Sequence, residues 1–206
     1  MPKRKAERKR LFNQMIRTDI QEAVINLVTR TGIRRVTMDQ VATEAGVSKG
    51  CLYLHFHSKK ELLESVKEAC FEPLVDQLQV VLDGPLPPDQ KIESFVRRMF
   101  GYFDENQGLF RFLLEEREIA QSQVVRQKDS RYRNFVERIA GVLNDGIVAG
   151  FFRNLEYRKV ASMLLEAMIA MTARRLMDED PRPVEEDAQL LIEVFIRGVA
   201  LRPGPH

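Results

Sequence analysis

Lys49, Gly50, Tyr53 and Leu54 fall on one side of a short segment whose other side carries Leu52 and Phe56, four residues apart. At helical spacing the apolar pair turns inward and the other four point outward. That outward face combines an ammonium, a bare backbone, a phenol and an apolar tip. Its chemistry is recognition rather than reaction. A lysine near a helix start can donate to the guanine acceptors of the major groove, and a glycine lets backbone approach a duplex closely. A leucine tip such as Leu54 can touch a thymine methyl. No phosphate loop, nucleophile elbow or paired metal-ligand motif appears, so neither an enzyme nor a cofactor is expected. Cys51, His55, His57 and Glu61 are suitable metal ligands, but they would have to converge across a helix end without CxxC or HExxH spacing; no metal is expected. Redox sensing by Cys51 would require an activated thiolate, and its position carries no redox spacing.

The elements that must hold this face are marked by caps. Thr37 and Gln40 have capping-box spacing and open a helix whose apolar face is Val41, Ala42 and Ala45, with Gly46 as its stop. Ser48 caps the next helix, through Phe56. Ser58 and Glu61 repeat the capping-box spacing and open another through Leu62, Leu63 and Val66. Before them, Ile16, Ile20, Ala23, Val24, Leu27 and Val28 form one face of a first helix that should stop at Gly32. Ile33 and Val36 lead into the second. Three helices then enclose a core around Leu52 and Phe56, the arrangement of a DNA reader.

The runs Thr37 to Ala42, Ala45 to Gly50, Leu52 to Phe56 and Ser58 to Leu63 resemble the tetracycline-repressor (TetR) family. The resemblance covers roughly residues 14–74, with the helix-turn-helix at about 37–56. It implies an all-α chain: an N-terminal three-helix DNA-binding domain, then a helical bundle for ligand binding and dimerisation at 75–206. It assigns phosphate contacts to Thr37, Tyr53, His55 and Lys59, and base-edge approach to Ser48, Lys49 and Gly50. Thr37 and Ser48 also serve as caps, and Tyr53 and Lys59 also suit packing and solvation. Cys51 stands where Thr, Ser or Ala is usual and Leu54 where an aromatic or His is usual, so the family's base preferences do not transfer.

Charge points to the same end. Residues 1–60 hold 13 Lys or Arg against 5 Asp or Glu, and the remaining residues hold 19 against 25. The head is therefore +8 and the body −6, which draws a polyanion to the head. Lys3, Arg4, Lys5, Arg8, Lys9 and Arg10 form a basic arm, residues 1–13, suited to phosphates or the minor groove and equally to a solvated tail. The 206 residues are 44% hydrophobic and 30% charged, a globular composition. No apolar run is long enough for a membrane span, and no secretory segment follows the basic start, so a cytoplasmic location is expected. Cys51 and Cys70 lack redox or metal spacing, as expected for reduced thiols.

Helix four should run from Lys59 or Lys60 toward Leu82 with a kink near Pro73. After the breaker at 83–88, Asp89 should cap a fifth helix, followed by helices over about 109–120, 122–149, 156–177 and 184–200. Phe95, Met99, Phe103, Phe110, Leu114, Phe135 and Met163 are candidate linings of an effector cavity, and equally core. The family implies an apolar or amphipathic small-molecule effector, bound preferentially by a form that no longer fits the operator, with helix four transmitting the change. Val160, Met163, Leu164, Ala167, Met168 and Met171 with Leu191, Ile192, Phe195, Ile196 and Val199 suit either a helical seam or internal core. The family implies a homodimer through these last two helices, on a palindromic double-stranded operator, more a repressor than an activator. The alternative is a nucleoid-type protein that binds DNA by charge alone.

Overall fold

Two stretches of chain, residues 2–119 and 130–200, are described by the computed structural model. Among them nine α-helices follow in order: α1 Pro2–Thr31, α2 Met38–Glu44, α3 Lys49–His55, α4 Lys59–Asp83, α5 Pro88–Glu105, α6 Gln107–Ile119, α7 Ser130–Val148, α8 Tyr157–Arg175 and α9 Val184–Val199. Among the described residues the chain between and after the helices also forms an isolated antiparallel bridge between Phe152 and Ala200, beside which Arg153 N donates to Val199 O at 2.9 Å. The part of the 122–149 expectation at residues 122–129, Val125 included, lies outside the described residues.

Most helix starts follow local chemistry, and two depart from expectation. The basic segment is not an arm ahead of the first helix, because α1 begins at Pro2 and includes it. A proline at the first helical position is pre-organised for the turn, and the Lys, Arg, Ala and Glu behind it are good helix formers. At α5, Asp89 is not the cap. Pro87 occupies that position without a side-chain bond, Pro88 starts the helix, and Asp89 sits within the first turn. A carboxylate there still favours the helix dipole. Pro73 lies inside the continuous helix α4.

Two compact units divide the chain. Among the described residues the first comprises 2–72 together with Gly108–Glu116, and the second Pro73–Gln107 together with 117–119 and 130–200. In the first, Ile20, Val24 and Val28 of α1, Ile33 and Val36 of the following turn, Val41 of α2, Leu52 and Phe56 at α3, and Leu62 and Val66 of α4 are buried. The α6 segment joins this unit through close approach at Gly108, where an added Cβ would lie 3.0 Å from Thr29 Oγ1. In the second, α5 packs against α7, α8 and α9, and α7 packs against α8. Phe95, Val96, Ile139, Leu164 and Met168 lie in its core. Arg175 of α8 ties this unit together, reaching Asp104 Oδ1 and Asp187 Oδ2 at 2.8 Å each. Burial opposes its charge, but the two carboxylates more than compensate and raise its pKa.

The last two helices split their apolar residues. Leu164, Met168, Leu191, Ile192 and Val199 are internal, whereas Met163, Leu190 and Val194 are exposed. No helix among the described residues is long and apolar enough to cross a membrane.

Candidate nucleic-acid interface

Two seven-residue helices cannot hold themselves in water, so α2 and α3 depend on their caps and on what they bury. Thr37 accepts from Gln40 N at 3.3 Å while Gln40 Oε1 accepts from Thr37 N at 2.9 Å, a complete capping box. α2 ends at Gly46, whose φ of +66° is the left-handed conformation that a Cβ disfavours. Gly46 N donates to Thr43 O at 3.2 Å and Val47 N to Ala42 O at 2.9 Å, the paired closing bonds of a Schellman motif. Ser48 then accepts from Cys51 N at 3.1 Å and starts α3. At α4 the box is modified: Ser58 Oγ accepts from Glu61 N at 3.1 Å, but Glu61 Oε2 accepts from His57 N at 2.8 Å. Glu61 thus holds the turn between α3 and α4.

With Leu52 and Phe56 fully buried, α3 turns its other side out. Lys49, Gly50, Tyr53 and Leu54 all lie on that exposed side, and Leu54 is 82% exposed. Thr37 and Ser48, at the two helix starts, are also exposed, while His55 is half-buried. An added Cβ on Gly50 would meet, among the described residues, only Ser48 Oγ at 4.0 Å. Nothing within the fold therefore calls for glycine at this position. Gly50→Ala is expected to leave thermal stability unchanged or raise it by up to about 1 kcal/mol, since alanine is the better helix former. If backbone at Gly50 approaches a duplex, the same variant loses affinity in an anisotropy titration; equal affinity would remove Gly50 from the interface.

Lys59 occupies a different place from the rest. Its Nζ donates to Ile33 O at 2.9 Å and Val36 O at 2.6 Å, and burial lowers its pKa. Two of its three donors thus clasp the turn between α1 and α2. Glu115 of α6 grips the same turn from the opposite polarity, accepting from Ile33 N at 2.6 Å. Arg17 of α1 secures the far end of α3. Its guanidinium lies 4.4 Å from the centre of the Phe56 ring, and Nη1 donates to His55 O at 3.2 Å, satisfying a helix-end carbonyl near the negative dipole end. Gln21 Nε2 donates to Ser65 Oγ at 2.6 Å and joins α1 to α4.

The residues expected to line an effector cavity are divided between the two units. Phe95, Met99 and Phe103 of α5 and Phe135 of α7 are buried in the second unit. Phe110 and Leu114 belong to the α6 segment grouped with the first unit. Met163 is 68% exposed and does not line that interior, because α8 turns its neighbours Leu164 and Leu165 inward. Among the described residues, no three His, Cys, Asp or Glu side chains come together to hold a metal ion.

Residues 20–66 match the family model of bacterial regulatory proteins, tetR family. Across 181 residues the chain is 23% identical to the uncharacterized HTH-type transcriptional regulator YhgD of Bacillus subtilis, covering 88% of this chain and 95% of that protein. The TetR family transcriptional regulator PfmR of Thermus thermophilus is 25% identical and superposes with a TM-score of 0.73, over 89% of this chain and 99% of the other. FadR of Bacillus subtilis, solved in complex with stearoyl-CoA, shares the fold with a TM-score of 0.78 at 18% identity, over 88% and 98% of the two chains.

Proposed function

We propose that this chain, which belongs to the TetR family of transcriptional regulators, represses transcription by binding a palindromic operator as a homodimer and releases it on binding a small apolar or amphipathic molecule. The observation that carries the reading is the α3 ridge, capped by Ser48, anchored by Leu52 and Phe56, and presenting Lys49, Gly50, Tyr53 and Leu54 outward. A seven-residue helix held this firmly keeps its side chains in register with base edges, which is what direct readout in the major groove demands. Thr37, Ser48, Tyr53 and His55 are assigned phosphate or base-edge contacts around the ridge. Lys59 is assigned the role of positioning the α1–α2 turn, given its two backbone carbonyl partners.

Dimerisation is supported by Met163 of α8 and by Leu190 and Val194 of α9, four residues apart, all apolar and exposed. Such a stripe on paired helices is the usual material of a helical seam. For the effector, Phe95, Met99, Phe103 and Phe135 supply apolar surface inside the second unit, and a molecule favouring the released form shifts the population away from DNA. The site of action is the cytoplasm, and no chemical turnover is assigned.

Selection from random duplex followed by anisotropy titration tests this reading. A palindromic motif is expected, bound at least a thousand-fold more tightly than random duplex at the same salt concentration. Equal affinity for both, falling steeply with salt, would instead describe a protein that binds by charge alone.

A further inference from the structure

Lys49 Nζ lies 2.7 Å from Asp39 Oδ1, and the two side chains are 61% and 67% exposed. One comes from the start of α3 and the other from the first turn of α2, so the pair bridges the two helices of the reading motif. The carboxylate also keeps the ammonium charged, raising its pKa through hydrogen bond and Coulomb attraction. An isolated carboxylate on a surface that meets phosphates is repelled by them. Joined to Lys49, the same carboxylate becomes part of a neutral pair of adjacent donor and acceptor.

We propose that Asp39 and Lys49 act together as a reader of one G·C base pair in each half-site, Lys49 donating to guanine and Asp39 accepting from cytosine. This rests on the operator-binding reading above. In the major groove a G·C pair presents N7 and O6 of guanine as acceptors and, beside them, the N4 amino group of cytosine as donor. O6 and N4 are hydrogen-bonded to one another, about 2.9 Å apart. An ammonium and a carboxylate oxygen 2.7 Å apart therefore match that edge in both spacing and polarity. The two remaining ammonium protons face the guanine acceptors, and the free carboxylate lone pairs face the cytosine amino group.

Two of the other three base pairs oppose this polarity, and the third, T·A, keeps its central acceptor and donor but sets the thymine methyl where guanine offers N7 to the ammonium. An A·T pair places the adenine amino donor against the ammonium and the thymine O4 acceptor against the carboxylate. A reversed C·G pair makes the same two mismatches of sign. Asp39 thus supplies rejection as well as attraction, the component that converts affinity into specificity. The ordinary role for an exposed pair of this kind is weak bridging of two helices. Binding-site selection tells the two roles apart.

Random duplex is selected with the native full chain and with Asp39→Asn, Asp39→Ala and Lys49→Ala. The native motif is expected to contain, in each half-site, a G·C pair whose replacement by A·T weakens binding about ten-fold or more. In Asp39→Asn and Asp39→Ala that penalty should fall to about three-fold or less while all other positions keep their weights. Lys49→Ala should lose the same preference and also bind more weakly throughout. Thermal unfolding of each variant verifies that the fold is retained, as exposure of both side chains leads one to expect. An enriched motif that the Asp39 variants leave unaltered, or a change spread evenly over all positions, overturns the pair alone. A native protein that enriches no motif overturns the regulator reading and the pair with it.

Discussion

Leu190→Asp combined with Val194→Asp is expected to produce a folded single subunit that binds a two-half-site operator at least a hundred-fold more weakly than the native protein. Both side chains are exposed on α9, whereas the neighbouring Leu191 and Ile192 face the core, so the replacements leave the interior of the second unit intact. In a two-fold seam both copies bring their two substituted positions into the same interface. Four carboxylates would then be desolvated close together, at several kcal/mol. Loss of the pair also removes the avidity that couples two reading helices about 34 Å apart, typically a factor of a hundred or more. Sedimentation velocity and anisotropy on full and half operators measure the two effects separately. A dimer that persists at micromolar concentration would place the seam elsewhere, and a single subunit with native operator affinity would remove the need for one.

Phe56→Ala is the second large effect, expected to lower stability by about 3–5 kcal/mol and to abolish operator binding. The ring is fully buried, and it supports Arg17, whose guanidinium rests 4.4 Å from its centre while donating to His55 O. Truncation therefore opens a cavity and loosens the clasp on the end of α3 together. Phe56→Leu retains most of the volume and should cost about 1.5 kcal/mol or less. Urea unfolding followed by far-ultraviolet dichroism gives the two values. If Phe56→Ala cost under about 1 kcal/mol, α3 would not depend on this anchor, and the rigidity attributed to the ridge would be lost.

The caps that organise the reading unit are legible because each joins atoms three or four residues apart. Thr37 with Gln40 and Ser48 with Cys51 N are set by side-chain reach along one turn of backbone. Periodicity likewise marks Leu52 and Phe56 as inward and Leu54 as outward, because 3.6 residues per turn leaves little freedom in a short helix. The start of α1 is not legible in this way, because its basic charge pattern suits a solvated tail while the same residues have good helix propensity and join the helix from Pro2. Asp89 has the residue type of a cap, but Pro88 takes the first helical position and leaves Asp89 inside the first turn.

Long-range partners obey no such periodicity. Glu115 reaches Ile33 N across 82 residues, Arg17 reaches His55 O across 38, and Lys59 reaches Ile33 O across 26. Lys59 reads in the sequence as one more surface cation near a DNA-binding motif; packing of α4 against the α1–α2 turn makes it a donor to two carbonyls. Asp39 reads as an ordinary first-turn acid, and the crossing of α2 and α3 places it against Lys49. Met163 differs from Leu164 and Leu165 only in which side of α8 the neighbouring helices cover. Local order along the chain, and with it the reading motif, was thus determined by residue types within a turn or two of each other. The choice of partners for Arg17, Asp39, Lys59 and Glu115 was decided by tertiary packing alone, because a polar side chain satisfies whichever group the fold brings within about 3 Å.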